Sequence, residues 1–131
     1  HLQSTLRHRT IQFFPGSGFR HLMVWRGGPD GLACTSPHDI QGAPLKSGYP
    51  SGDRAEELVA LMWDCAEILA DHRYNRRRRD EGKPAADLVW PWSPGRMPEL
   101  QGFDVRHGIG GACVAGNPMV RGLARAVGLK V

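Results

Sequence analysis

Hydrophobic and polar positions alternate, then turn helical, then alternate again along this chain. Residues 1–9 are polar and basic and are expected to fray as a lead-in. Thr10–Phe14 reads as a strand on Ile11, Phe13 and Phe14, and Pro15-Gly16-Ser17-Gly18 reads as a turn. In Phe19–Arg26, His21, Met23 and Trp25 alternate with Arg20, Leu22 and Val24, which predicts the second strand of a hairpin. Gly27–Gly31 closes it, and Leu32–Thr35 reads as a short third strand. Ser36–Gly52 is a loop rich in Pro, Gly and Ser, long enough to suggest a functional role.

A helix follows. Asp53 reads as its N-cap, with Glu56 three residues on. Ala55, Leu58, Val59, Met62, Cys65, Ala66 and Leu69 form an apolar stripe that should cover a sheet face. This helix, or a second one bent from it, is expected to run to Gly82, with basic residues in its last turn and Pro84 just beyond. Asp87–Trp92 reads as a strand that Pro91 restricts to an edge. Met97–Arg106 reads as a loop or short helix, and Gly108–Ala115 as a buried, glycine-rich strand. Asn117-Pro118 starts a last helix with an apolar face of Met119, Val120, Leu123, Ala124 and Val127; Gly128 ends it, and Leu129–Val131 begins a strand. The pattern predicts an α+β fold, a two-layer domain with helices on one face of a mixed or antiparallel sheet, spanning residues 1–131 as a single domain.

Composition supports a folded chain. Of 131 residues, 40% are hydrophobic and 23% charged, so there is enough apolar surface to build a core. No apolar run is long enough for a membrane span. The net charge is +4, carried mostly by arginine, which suits bidentate recognition of phosphate and carboxylate. Cys34, Cys65 and Cys113 are widely spaced, with apolar residues nearby, and read as small buried hydrophobes in a reducing compartment. The start at His1 suggests an excised piece.

Little in the chain reads as a complete catalytic set. The six histidines are scattered, and neither H-x-x-x-H nor D-x-D occurs, so no metal site is expected. G-x-S-x-G is absent, and the glycines after His107 do not space as a dinucleotide fingerprint. No catalytic residue is therefore expected in this chain. The notable stretch is Asn75–Gly95, where Arg76–Arg79 precede a Gly-Lys-Pro turn and a Trp90-Pro91-Trp92 segment. Four consecutive helical residues point in four directions, so the arginines cannot all grip one ligand. One or two of them are candidates to clamp an anion. Pro37-His38-Asp39-Ile40 is a second candidate site, or a local turn.

Taken in order, Arg20–Val24, Pro37–Ile40, Asn75–Gly82, Trp90–Gly95 and Gly111–Gly128 resemble the cofactor-independent phosphoglycerate mutases of the archaeal type, in the alkaline phosphatase superfamily. The resemblance implies the inserted, substrate-binding domain of a cytoplasmic metalloenzyme of glycolysis. In that family a catalytic domain holds two divalent metals, of manganese or zinc type, and a nucleophilic serine that becomes phosphoserine. The metals would be implied for the parent enzyme, with none bound by this chain. The partners implied are phosphoglycerate, or a similar small anion, and the chain's own catalytic domain, with no membrane and no nucleic acid. The residues carried over to the substrate side are Arg20, His38, Asp39, Asn75 and Arg78, with Trp90 and Trp92 as a wall. Ser93-Pro94 departs from the glycine-containing turn of the family, and Asn117-Pro118 from a pair ending in an acid.

Two other readings are open at this point. One is the insert of a related phosphotransferase, homoserine-kinase-like. The other is a small basic nucleic-acid-binding module, with Arg76–Arg79 on phosphates and Trp90 and Trp92 as stacking platforms.

Overall fold

The computed structural model describes residues 1–6 and 8–131. The chain divides into two compact units, His1–Gly95 and Arg96–Val131.

The first unit is built on a hairpin and a long helix. Strands β1 (Ile11–Phe14) and β2 (Leu22–Trp25) pair antiparallel, with Ile11 opposite Trp25 and Phe13 opposite Met23. Period-two alternation puts these four side chains on one face, and all four belong to the core cluster. Helix α2 (Ala55–Ala70) covers that face with Leu58, Leu61 and Cys65. Leu61 adds to the stripe expected from the sequence, and burial pushes the Cys65 thiol up to about 11. The class is therefore α+β, with a small antiparallel sheet. The first nine residues, read as fraying, hold a helical turn, α1 (Leu2–Thr5), and Leu2 and Leu6 pack against the same core.

The start of α2 departs from the expected capping box. Arg54, not Asp53, is the N-cap, in a left-handed conformation with φ 54°. The approach to the helix explains it. At Gly52 (φ +98°) a Cβ would lie 2.0 Å from the Gly31 carbonyl oxygen, so this sharp reversal needs glycine. Arg54 then donates to both Glu57 carboxylate oxygens and, at 2.9 Å, to the Gly27 carbonyl. Its guanidinium also sits 4.8 Å from the Trp25 ring centroid.

The helical run bends into a second helix at His72. α2 stops at Ala70 and α3 (Arg73–Asp80) begins after His72, whose ψ of 130° breaks the helical run. α3 closes with paired backbone bonds, Lys83 N–H to the Arg78 carbonyl and Gly82 N–H to that of Arg79, with Gly82 left-handed at φ 66°. Two predicted strands are not ladders. Leu32–Thr35 contributes one antiparallel bridge, Ala33 to Ser51. Asp87–Trp92 is extended but pairs with no strand among the described residues. Pro84, Pro91 and Pro94 remove donors from this stretch, and side chains from elsewhere take up its polar groups.

The second unit holds α4 (Phe103–His107) and α5 (Pro118–Ala126). Asn117 caps α5 as expected, its side chain accepting from Met119 N–H at 2.9 Å. Gly108–Ala115 forms no continuous strand; Ala112 makes a single parallel bridge to Lys130. The apolar face predicted for α5 is largely uncovered, with Met119, Val120 and Leu123 exposed and Ala124 buried.

Candidate functional site

The site is best built outward from Asn75. The bend at His72 turns the first part of α3 back toward the end of α2, and the chain after Gly82 returns alongside. Asn75 bridges the two, donating to the carbonyls of Leu69 and Ala86, each at 2.8 Å, and accepting from Ala86 N–H at 3.0 Å. It is 2% exposed. The sequence places Asn75 on the substrate side; the structure gives its side chain three backbone partners. Its amide is spent on three backbone bonds and offers a ligand no surface. It fixes the returning segment 84–92 against α3.

The arginine run separates into two kinds. Arg76 faces Asp71 at 3.3 Å, Arg77 faces Glu81 at 2.7 Å, and Arg79 faces Asp87 at 3.1 Å while also donating to the Ala70 carbonyl. These are neutralised, mostly solvated pairs of the kind that contribute little to stability. Arg78 has no carboxylate at ion-pair distance among the described residues. Its Nε donates to the Pro84 carbonyl, and its guanidinium carbon lies 5.8 Å from the centroid of the Tyr74 ring, one turn earlier on α3. Its two terminal nitrogens have no protein partner among the described residues. The guanidinium is thus held in place with its outer edge available.

Further along the same segment, Trp90 and Trp92 meet the loop that carries His38. Trp90 Nε1 donates to the Thr35 carbonyl at 2.8 Å, and its ring lies 6.3 Å from Tyr49. Gly48 packs so closely that a Cβ there would meet Ile40 at 2.9 Å and Trp90 at 3.1 Å. The half-exposed Trp92 takes His38 edge-on, with ring centroids 6.1 Å apart and planes at 86°. His38 and Asp39 are exposed and sit in a turn closed by Ser36, which accepts from both backbone N–H groups. Segment 84–92 therefore joins two groups: Arg78 and Asn75 at one end, and His38 at the other.

Arg20 stays outside this arrangement. It is exposed beside the β1–β2 connection, its guanidinium carbon 4.5 Å from the Phe19 ring centroid, and no hydrogen bond or ring contact joins it to the other candidates. Sequence reasoning missed Tyr74, Thr35, Tyr49 and the Pro84 carbonyl. Only Tyr74 left a signal, its position four residues before Arg78. Among the described residues no three His, Cys, Asp or Glu side chains converge as metal ligands. In the second unit, a shallow cavity of ≈ 260 Å³ lies among Leu100, Gln101, Phe103, Arg106, His107 and Val127, apart from every predicted site residue. No helix among the described residues is long and apolar enough to cross a membrane.

His1–Gly95 is thus a small α+β unit in which segment 84–92 links a braced arginine at one end to a Trp–His pair at the other. Comparison with known proteins is more specific. The family profile of 2,3-bisphosphoglycerate-independent phosphoglycerate mutase matches residues 1–75. A probable 2,3-bisphosphoglycerate-independent phosphoglycerate mutase of Geobacter sulfurreducens is 38% identical over 130 residues, covering 99% of this chain and 33% of the relative. The mutase of Methanothrix thermoacetophila is 32% identical over 120 residues, covering 92% of this chain and 30% of the relative. The solved cofactor-independent phosphoglycerate mutase of Thermoplasma acidophilum superposes with a TM-score of 0.65 at 28% identity, covering 97% of this chain and 37% of that one. The chain belongs to the 2,3-bisphosphoglycerate-independent phosphoglycerate mutase family, and it spans about a third of the length of these relatives.

Proposed function

We propose that His1–Gly95 is the substrate-binding insert of a phosphoglycerate mutase that interconverts 3-phosphoglycerate and 2-phosphoglycerate in the cytoplasm. The carrying observation is the contrast within the arginine run. Arg76, Arg77 and Arg79 each face an acid, whereas Arg78 is braced by the Pro84 carbonyl and Tyr74 with its outer nitrogens open. A fixed guanidinium edge suits a phosphate or carboxylate, because both oxygens of one anion can be met at once. Neutralisation of its neighbours leaves no continuous basic stripe of the kind a nucleic-acid backbone needs.

In this reading the phosphoryl group passes through a phosphoserine on a catalytic domain outside the present chain. The insert's task is to hold the glycerate while it is reoriented. Arg78 grips an anionic end, and His38 and Asp39 reach the substrate from the turn that Trp90 and Trp92 support. Asn75 acts through the position of segment 84–92. Two divalent metals would belong to the catalytic domain. Among the described residues no three ligating side chains converge to hold such a centre.

The test is turnover of 3-phosphoglycerate by the full-length protein carrying Arg78→Ala or Arg79→Ala. Loss of a charge-assisted contact to the substrate costs about 2–4 kcal/mol, roughly 30- to 1,000-fold in kcat/KM. That loss is expected for Arg78→Ala and less than about fivefold for Arg79→Ala. Equal effects would remove the privileged role of Arg78. A full-length protein that turns over no phosphoglycerate would overturn the mutase reading itself.

A further inference from the structure

The connection between β1 and β2 is closed on itself. The ladder ends at the Phe14–Leu22 pair, so residues 15–21 depend on their own contacts for shape. Gly16 N–H donates to His21 Nδ1 at 3.1 Å, and Arg20 N–H donates to the Ser17 carbonyl at 3.2 Å. Gly16 lies so tightly against the Arg20 backbone that a Cβ there would come within 2.3 Å of the Arg20 carbonyl oxygen. The clasp thus closes immediately after Arg20. The Arg20 guanidinium carbon rests 4.5 Å from the Phe19 ring centroid, and no hydrogen bond or carboxylate takes its nitrogens among the described residues. Like Arg78, it is a cation steadied by an aromatic ring with its donors open.

His21 makes the clasp conditional. A backbone N–H can only donate, so Nδ1 must offer a lone pair, and the ring is the neutral tautomer with its proton on Nε2. A protonated ring has a donor at both nitrogens and would set two N–H groups face to face. Arg20 is the only other charged or titratable side chain between Thr10 and Trp25. Helix α1 carries none, and on α2 Arg54 reaches the hairpin at Trp25, its opposite end, where it is paired with Glu57. We infer that His21 is a positioning residue for Arg20: neutral, its Nδ1 clasps the connection and sets the guanidinium edge for an anionic substrate; protonated, it releases both. The inference rests on the reading of His1–Gly95 as a substrate-binding insert.

Turnover of 3-phosphoglycerate by the full-length protein, with KM and kcat resolved, tests it. His21→Leu removes the acceptor and is expected to raise KM about three- to tenfold, with kcat within about twofold of the parent. His21→Asn offers an amide oxygen close to the Nδ1 position and should keep KM within about twofold. Asparagine does not titrate, so the ratio of parent KM to His21→Asn KM should rise severalfold from about pH 8 to about pH 5.5. His38 and the substrate phosphate are common to both proteins and cancel in that ratio. In an Arg20→Ala background, His21→Leu should add less than about twofold. An unaffected His21→Leu, an Asn variant as impaired as the Leu variant, a constant ratio, or additive effects of the two substitutions would each overturn the inference. Glycine-selective isotope labelling gives a readout that needs no substrate. The Gly16 amide proton should move upfield as pH falls in the parent and stay in place in His21→Asn. A Gly16 amide that ignores pH in the parent overturns the clasp whether or not phosphoglycerate is turned over. Absence of turnover with a moving amide overturns the mutase reading alone.

Discussion

Asn75 and Ala86 are joined by two hydrogen bonds in opposite directions, Nδ2 to the Ala86 carbonyl at 2.8 Å and Ala86 N–H to Oδ1 at 3.0 Å. The side-chain amide does for the returning segment what a neighbouring strand would do in a sheet. This anchors the start of the extended stretch Asp87–Trp92, which has no ladder among the described residues. Asn75→Ala removes three part-buried hydrogen bonds, leaving the Ala86 N–H and carbonyl without this partner, and is expected to destabilise the unit by about 1–3 kcal/mol. Asn75→Gln keeps the amide but displaces it by one methylene and should recover only part of the loss. Chemical denaturation of both variants checks this, and an Asn75→Ala midpoint equal to the parent's would refute the bracing role.

Trp90 gives the corresponding control at the other end of the segment. Trp90→Phe keeps an aromatic ring against Gly48 and Tyr49 but loses the 2.8 Å bond to the Thr35 carbonyl. The expected cost is about 1 kcal/mol. In the full-length enzyme the main consequence should be a raised KM with little change in kcat, because the loop bearing His38 is loosened and no reacting group is removed. A fall in kcat at constant KM would contradict that role.

Much of this was legible in the sequence, for identifiable reasons. The α2 stripe and the hairpin follow from periodicity, and periodicity reports burial directly. The Asn117 cap and the stops at Gly82 and Gly128 follow from local backbone chemistry. What was not legible depends on segments distant in the chain. Asp53 looks like a cap, but the approach of Gly52 to Gly31 sets the chain direction and moves the cap to Arg54. The bonds between Asn75 and Ala86, 11 residues away, leave no local signal in the sequence. The arginines look alike until Asp71, Glu81 and Asp87 are placed against three of them.

Two of the acids predict the acid limb of stability. Hydrogen bonding from Arg54 holds the Glu57 carboxyl below its ordinary 4.5, and hydrogen bonds from Lys83 and then Arg77 do the same for Glu81. In each case the unfolded chain takes up its proton at higher pH than the folded one. The contribution is therefore full above pH 4.5 and declines as pH falls through the lowered folded values. Melting temperature followed from about pH 6 to about pH 3 should fall less steeply in Glu57→Gln/Glu81→Gln than in the parent. Parallel curves would show that these pairs do not contribute.

Ser93 carries the last prediction. It has a left-handed backbone, φ 50°, between Trp92 and Pro94. That conformation costs a residue with a Cβ roughly 1–2 kcal/mol. The following proline adds to the strain, since it steers the preceding residue toward extended backbone. The family resemblance leads one to expect a glycine-containing turn here, and glycine would relieve the strain while making the unfolded chain more flexible, a loss of about 0.4–1 kcal/mol. The balance favours Ser93→Gly by about 0.5–1 kcal/mol, or roughly 2–5 °C in melting temperature. Ser93→Ala keeps the Cβ and should give no gain. If Ser93→Gly melts no higher than the parent, the serine hydroxyl or the turn's rigidity is worth as much as the strain. The serine would then be tied to the shape of the wall that Trp92 forms with His38.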